Sequence, residues 1–214
     1  MEKEVKAVVF DIGDVLCLGK QHSSKISLKC KGPHEEVTNK LRFSIDQYID
    51  SISPIHNKSI SGEISFKETV ESLSRNFGKK KSEINEIYSN AYKKQFTKNT
   101  RLLNKVKQLK KQGYKTAILS DQWHMSKGAL MPKSYYKYFD EVLVSCDEGM
   151  RKPEEKFFKL SLKKLNVKPS EALFIDDQKW NTRAAKRLGI QTILFENNEQ
   201  LFKNPKWKKL FEEK

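Results

Sequence analysis

One short stretch constrains this chain more than any other: Val5-Lys6-Ala7-Val8-Val9-Phe10, followed at once by Asp11-Ile12-Gly13-Asp14. Five of the first six residues are apolar and three are Val. A run of this kind reads as a short strand covered on both faces, as in a parallel sheet. An acid at the carboxyl end of such a strand lies where open α/β sheets place their ligands. An Asx turn closing the strand would use the same residues. On this stretch alone both readings stay open.

The order of elements behind it narrows the fold. Cys17 to Pro33 is polar, and its alternation Lys25-Ile26-Ser27-Leu28-Lys29-Cys30-Lys31 predicts a short exposed strand or hairpin. Leu41, Ile45, Tyr48, Ile49 and Ile52 recur at helical spacing, which predicts one helix over 35–53 ended by Pro54. Ser65-Phe66-Lys67-Glu68 is a capping box opening a second helix that stops at Gly78, and Ser82 caps a third. From residue 97 the rhythm alternates. Helices are expected over 102–111, 153–165 and 178–188, and strands over 115–120, 139–145, 172–175 and 191–195. A last helix is expected in the tail from Asn198 to Lys214. Pro153 suits the first turn of its helix.

Strands separated by helices imply right-handed crossovers. The expected fold is therefore α/β: a doubly wound, mostly parallel, Rossmann-like sheet with an inserted α-helical cap. The core would comprise residues 1–16 and 97–214. Residues 17–96 would form the cap and a preceding flap, set above the strands' carboxyl ends as a lid.

Composition excludes some functions. No run approaches the roughly 18 apolar residues of a membrane span. The charged amino terminus lacks the order of a signal peptide, which places the protein in the cytoplasm. Three cysteines without a C-x-x-C pair suggest neither a disulfide framework nor a zinc site. The net charge of +15 would attract anions. Its cations are mostly Lys, spread along the chain, whereas specific readers of nucleic acid favour Arg forks; a solvating surface is the better account. Oligomeric state is not legible.

Four strand ends carry functional groups: Asp11 and Asp14; Ser120 and Asp121; Lys152, after the third; and Asp176-Asp177. Each has a dull explanation as a turn, a strand end or a cap. Together they put several carboxylates, one hydroxyl and one ammonium around a single crevice. That set suits phosphoryl transfer through an aspartyl intermediate. Clustered carboxylates need a cation, and oxygen ligands suit Mg²⁺. Lys152 and the metal would offset phosphoryl charge, and Ser120 would hold a phosphate oxygen. Trp123 and His124 follow on a loop that can face substrate; packing of Trp123 under the cap is the duller alternative.

FDIGDVL, ILSD, GMRKP and FIDDQKWNTRAAKRLGI resemble the four ordered motifs of the haloacid dehalogenase-like hydrolase superfamily. The helical block between the first two resembles a C1-type cap. The third and fourth motifs are most similar to the branch containing sugar-phosphate phosphatases and the amino-terminal phosphatase domain of epoxide hydrolases. The resemblance implies a nucleophilic Asp11 and Mg²⁺ ligands at Asp11, the Gly13 carbonyl, Asp177 and the adjacent Asp176. It also implies phosphate contacts from Ser120 and Lys152, Asp121 and Trp123 beside the substrate, and Asn181 steadying the metal loop. The implied substrate is a small phosphorylated metabolite such as a sugar phosphate.

Two departures stand out. Where the superfamily's phosphatases carry an acid two residues after the nucleophile, this chain has Gly13, which transfers no proton. Asp121 stands where Asn is usual, and a carboxylate beside phosphate must turn away or bind a cation. Two alternatives therefore remain: a dehalogenase-type hydrolase, which needs no acid for its halide, and a catalytically weak binding or regulatory protein.

Overall fold

The computed structural model describes residues 4–20 and 32–211. The alternation at Lys25–Lys31 lies outside the described residues.

The first strand, β1 (Ala7–Phe10), lies at the centre of a five-stranded sheet. Its neighbours are β4 (Lys115–Ser120) and β6 (Ala172–Asp176), flanked in turn by β5 (Glu141–Val144) and β7 (Gln191–Leu194). Every pairing in this sheet is parallel. Ala7 and Val9 face a core with Phe157, Phe158, Phe174 and Ala185, while Val8 and Phe10 join a second core on the opposite face. Both faces of β1 are thus buried, which is why it is apolar at successive positions rather than alternating.

The core helices are α5 (Thr100–Lys111), α8 (Glu155–Leu165) and α9 (Lys179–Arg187), with α6 (His124–Leu130) and the short α7 (Ser145–Glu148) beyond the ends of β4 and β5. α8 begins two residues later than expected. Pro153 lies in the turn before it, where Glu154 N–H bonds the Arg151 carbonyl at 3.0 Å and the Lys152–Pro153 peptide is cis. β5 ends at Val144 because Ser145 opens α7, where its hydroxyl oxygen accepts the Gln122 N–H at 3.0 Å. The tail holds two short helices, α10 (Asn198–Phe202) and α11 (Lys208–Phe211), instead of one; Pro205 sits in the break and cannot continue a helix.

Between β1 and β4 the chain forms the helical cap: α1 (Pro33–Leu41), α2 (Ile45–Ile60), α3 (Phe66–Phe77) and α4 (Lys81–Gln95). An antiparallel ribbon of β2 (Cys17–Gly19) and β3 (Phe96–Lys98) ties its two ends together. The single helix expected over 35–53 is two helices. Arg42 turns left-handed at φ 61°, and Ser44 with Gln47 forms a capping box that restarts the chain as α2. Pro54 does not end α2 but lies within it, exposed, where water can serve the carbonyl whose partner it removes. α4 starts at Lys81, earlier than a Ser82 cap allows, because Glu83 reaches back to the Lys80 N–H at 3.1 Å.

The cap meets the core beyond the end of β4. His124 N–H bonds Ser59 Oγ at 3.1 Å, and Trp123 Nε1 donates to the Tyr92 hydroxyl at 2.8 Å. Gly62, at φ 71°, packs so closely that a Cβ would stand 3.1 Å from Gly149 Cα. Here glycine is required on both conformational and steric grounds. Cys17 and Cys146 are buried free thiols. Among the described residues no helix is long and apolar enough to cross a membrane.

Candidate active site

Three adjacent parallel strands, β4, β1 and β6, aim their carboxyl ends at one crevice. Asp11 follows β1 directly, and its N–H still bonds the Ile175 carbonyl at 3.0 Å. The sheet register therefore fixes where its carboxylate stands. Lys152 Nζ lies 3.0 Å from Asp11 Oδ1 and 2.6 Å from Asp176 Oδ2. Asp11, Lys152 and Asp176 are only 8%, 2% and 0% exposed. Burial alone would strip the proton from Lys152, but Asp11, Asp176 and Asp121 hold its ammonium above the ordinary lysine range.

Each floor group has a fixed partner. Asp176 accepts the Gln178 N–H at 2.8 Å and the Asn181 amide at 3.1 and 3.2 Å. Ser120, fully buried at the end of β4, hydrogen-bonds Asp11 and receives Gln122 Nε2 at 3.2 Å. Asp121 Oδ1 accepts the Lys152 backbone N–H at 3.0 Å. Burial pushes the Asp11 carboxyl up, Lys152 opposes that shift, and Asp176 adds to it. Asp177, half-buried, is pushed up to about 8, first by burial and then by the charges of Asp11, Asp176 and Asp14. A carboxylate displaced so far is one that a nearby cation would relieve.

The floor fits magnesium. Carboxylate oxygens of Asp11, Asp176 and Asp177 all lie within 4.8 Å of one another. These three acids face one ammonium, an excess of negative charge that suits a divalent ion with oxygen ligands. Asn181 Oδ1 is also buried with no hydrogen-bond partner among the described residues, an acceptor left for a cation or its water. Both oxygens of Asp176 already take N–H donors, so Asp11 and Asp177 have more of their valence to offer.

Above the floor lies a cavity of about 450 Å³, walled on the cap side by His34, His56, Ile60, Tyr92 and Phe96. Trp123 forms its inner edge and is 2% exposed. The His56 and His34 ring centroids lie 4.9 and 6.3 Å from the Trp123 indole. Burial lowers both imidazoles to about 4; His56 adds to the shift of His34, and Arg151 to that of His56. Both rings are therefore uncharged at neutral pH. Arg151 and Trp180, the latter 57% exposed, line the cavity from the core.

A family model described as haloacid dehalogenase-like hydrolase matches residues 5–189. The chain belongs to this family. Among its relatives, acyl-CoA dehydrogenase family member 10 of Mus musculus is 33% identical over 148 residues, 67% of this chain and 14% of that protein. Bifunctional epoxide hydrolase 2 of Rattus norvegicus is 31% identical over 169 residues, 77% of this chain and 28% of that protein. Glyceraldehyde 3-phosphate phosphatase of Pyrococcus furiosus is 37% identical over 93 residues, 41% of this chain and 37% of that protein. The matches thus cover much less than two thirds of these relatives. A HAD family enzyme of Bacteroides thetaiotaomicron, solved in complex with magnesium and inorganic phosphate, shares the fold at TM-score 0.72 and 20% identity, over 93% of this chain and 100% of that one.

In this hydrolase Asp11, Gly13, Asp121, Trp123, Lys152 and Asp177 all line one cavity, with Ser120 and Asp176 buried behind them. Asp121 holds the Lys152 loop through its backbone rather than standing unpartnered. His124 turns to the Ile64 carbonyl at 3.0 Å and does not line the cavity. Asp14, at φ 50°, accepts the Gly19 N–H at 2.8 Å, which ties its carboxylate to the last residue of β2. A Cβ on Gly13 would meet nothing within 4 Å, so packing does not require glycine there.

His34, His56, Tyr92, Phe96, Arg151 and Trp180 escaped the sequence reading. The first four lie on separate cap elements, and no spacing signals that they meet. Trp180 did carry a signal: a large aromatic among the polar residues opening α9.

Proposed function

We propose that this hydrolase is a magnesium-dependent phosphatase of small phosphorylated metabolites, with Asp11 as nucleophile. The observation carrying this reading is the buried Lys152 ammonium held between Asp11 and Asp176, with Asp177 and Ser120 at the same strand ends. An isolated buried ion pair is weak support for anything but specificity. Here the carboxylates exceed the cation, and Asp11 and Asp177 border a cavity of a size to admit a small substrate.

Asp11 attacks phosphorus and forms an aspartyl-phosphate as the alcohol departs. Water then hydrolyses that ester and restores the carboxylate. Lys152 keeps Asp11 ionised despite its burial and offsets charge on the phosphoryl oxygens. The Ser120 hydroxyl, already beside Asp11, donates to one of those oxygens. Asp176 holds Lys152 in place, and Asp121 fixes the backbone that carries it. Magnesium, held by Asp11, Asp177 and the Gly13 carbonyl, would neutralise charge on the transferring group. The partner is a small phosphate ester rather than a nucleic acid, since the cavity holds about 450 Å³ between cap and core and a single Arg lines it.

The test is hydrolysis of phenyl phosphate by the wild type and by Asp11→Asn, with Mg²⁺ and with chelator. Chelation should abolish turnover reversibly, and Asp11→Asn should abolish it outright. Full activity in Asp11→Asn overturns the mechanism, and full activity in chelator overturns the metal requirement.

A further inference from the structure

The floor of the cavity is charged, but its cap-side wall is not, and several polar atoms of that wall already have partners. The Tyr92 hydroxyl accepts Trp123 Nε1–H at 2.8 Å. Ser126 Oγ donates to Gln122 Oε1 at 2.6 Å, and Gln122 Nε2 donates to Ser120 at 3.2 Å. His34 Nδ1 is hydrogen-bonded to the Tyr48 hydroxyl at 2.8 Å. What this wall offers a ligand is chiefly ring surface, from His34, His56 and Trp123, with the aliphatic side chains of Ile60 and Leu130, and one ring nitrogen, His56 Nδ1, that has no hydrogen-bond partner among the described residues. Both imidazoles are neutral, so they offer faces rather than charge. Trp180 adds a further indole from the core.

We infer that this site selects phosphate monoesters with a flat, apolar aromatic leaving group over those of polyhydroxylated sugars. The inference rests on the phosphatase reading and names its substrate class. A sugar entering this wall would surrender the water on several hydroxyls and find fewer partners than it lost, His56 Nδ1 among them. An aromatic ring gains area and ring–ring contacts there instead. The leaving-group chemistry agrees with residue 13. A phenolic oxygen has a pKa of about 10, far below that of an alkyl alcohol, so it departs with little need of an acid, and Gly13 supplies none. In the first step an Asp11 carboxylate oxygen bonds phosphorus while the phosphorus–oxygen bond to the ring breaks, and the phenolate keeps the electron pair. In the second, water displaces Asp11 from phosphorus. One hydrogen of that water stays on inorganic phosphate, and the other proton is taken up by the phenolate.

The experiment compares kcat/KM for phenyl, benzyl, cyclohexyl and glucose 6-phosphates in the Mg²⁺-loaded protein, together with binding of benzylphosphonate and methylphosphonate, which cannot turn over. Phenyl phosphate is expected to exceed glucose 6-phosphate by at least about tenfold in kcat/KM. Benzylphosphonate should bind at least about tenfold more tightly than methylphosphonate. Benzyl phosphate, which has a ring but a poor leaving group, should keep the low KM of phenyl phosphate and lose kcat. In His56→Asp, which sets a carboxylate among the rings, the phosphonate ratio should collapse. Preference for glucose 6-phosphate, or equal phosphonate affinities, overturns the inference while leaving the phosphatase reading intact. Absence of turnover across the whole panel instead overturns the phosphatase reading, and the phosphonate pair alone then decides what the wall binds.

Discussion

The floor and the cap-side wall of the cavity are built on opposite principles. The floor is ionic and buried: Asp11, Ser120 and Asp176 sit at or one residue beyond strand ends, and Lys152 reaches them from the loop after α7. The wall is aromatic, uncharged and assembled from helices, with His34 on α1, His56 on α2 and Tyr92 on α4. A parallel sheet fixes its strand ends to a fraction of an ångström, and charge–charge chemistry demands that precision. Ring packing tolerates more, so it can be left to helices whose relative placement varies. On the proposed function, reactivity belongs to the scaffold and selectivity to the insertion.

The variants that separate the two regions most sharply strike the floor. Asp11→Asn should lower kcat by about 10⁴-fold or more, as removal of a nucleophile does, while leaving phosphonate binding by the wall measurable. Lys152→Ala strands Asp11 and Asp176 together in a buried site. It should destabilise the protein by roughly 3–5 kcal/mol, read as a lowered denaturant midpoint, and should lose activity even where folded. Lys152→Ala with unchanged stability would mean that water already screens the pair.

Gly13→Asp works in the opposite direction. There is room for a side chain at that position, and a general acid contributes about 10²–10⁴-fold where the leaving group needs one. Alkyl phosphates should gain roughly tenfold or more, and phenyl phosphate much less. Equal gains on both would show that leaving-group protonation does not limit the wild type.

The smallest effect concerns the wall. His34 and His56 bind protons at about 4 in the folded protein, against about 6.5 unfolded. Below pH 6.5 the unfolded chain takes up protons that the folded chain refuses. Their contribution is therefore complete above pH 6.5, declines as the pH falls toward 4, and levels off below it. With water in the cleft allowed for, the pair should cost roughly 2 kcal/mol across that window. His34→Gln with His56→Gln should flatten the unfolding curve between pH 4 and 6.5. An unaltered slope would show that the imidazoles are already solvated.

The same division explains what could be read from the sequence. Asp11, Ser120 and Asp176 are announced locally, each by an apolar strand and its end, whereas Lys152 lies past α7. Asp11 and Asp176 were therefore legible beside Phe10 and Ile175 without any knowledge of packing. Asp121 was legible as a member of the cluster but not as the anchor of the Lys152 backbone, since that bond spans 31 residues. The wall depends on where α1 and α2 separate. Periodicity across Leu41 and Ile45 hid that break, although Ser44-Ile45-Asp46-Gln47 carries the capping-box pattern that makes it. Trp123 packs beneath the cap and edges the cavity at once.

The central claim is that Asp11 becomes phosphorylated. Mixing enzyme, Mg²⁺ and phenyl phosphate, quenching in acid within one turnover, and mapping the digest by mass spectrometry tests it most directly. The account predicts a phosphoryl group on the peptide carrying Asp11, labile at alkaline pH, lost once the substrate is exhausted before the quench and missing from Asp11→Asn. Turnover with no phosphorylated peptide above background, or a phosphoryl group mapped to another residue, would contradict it.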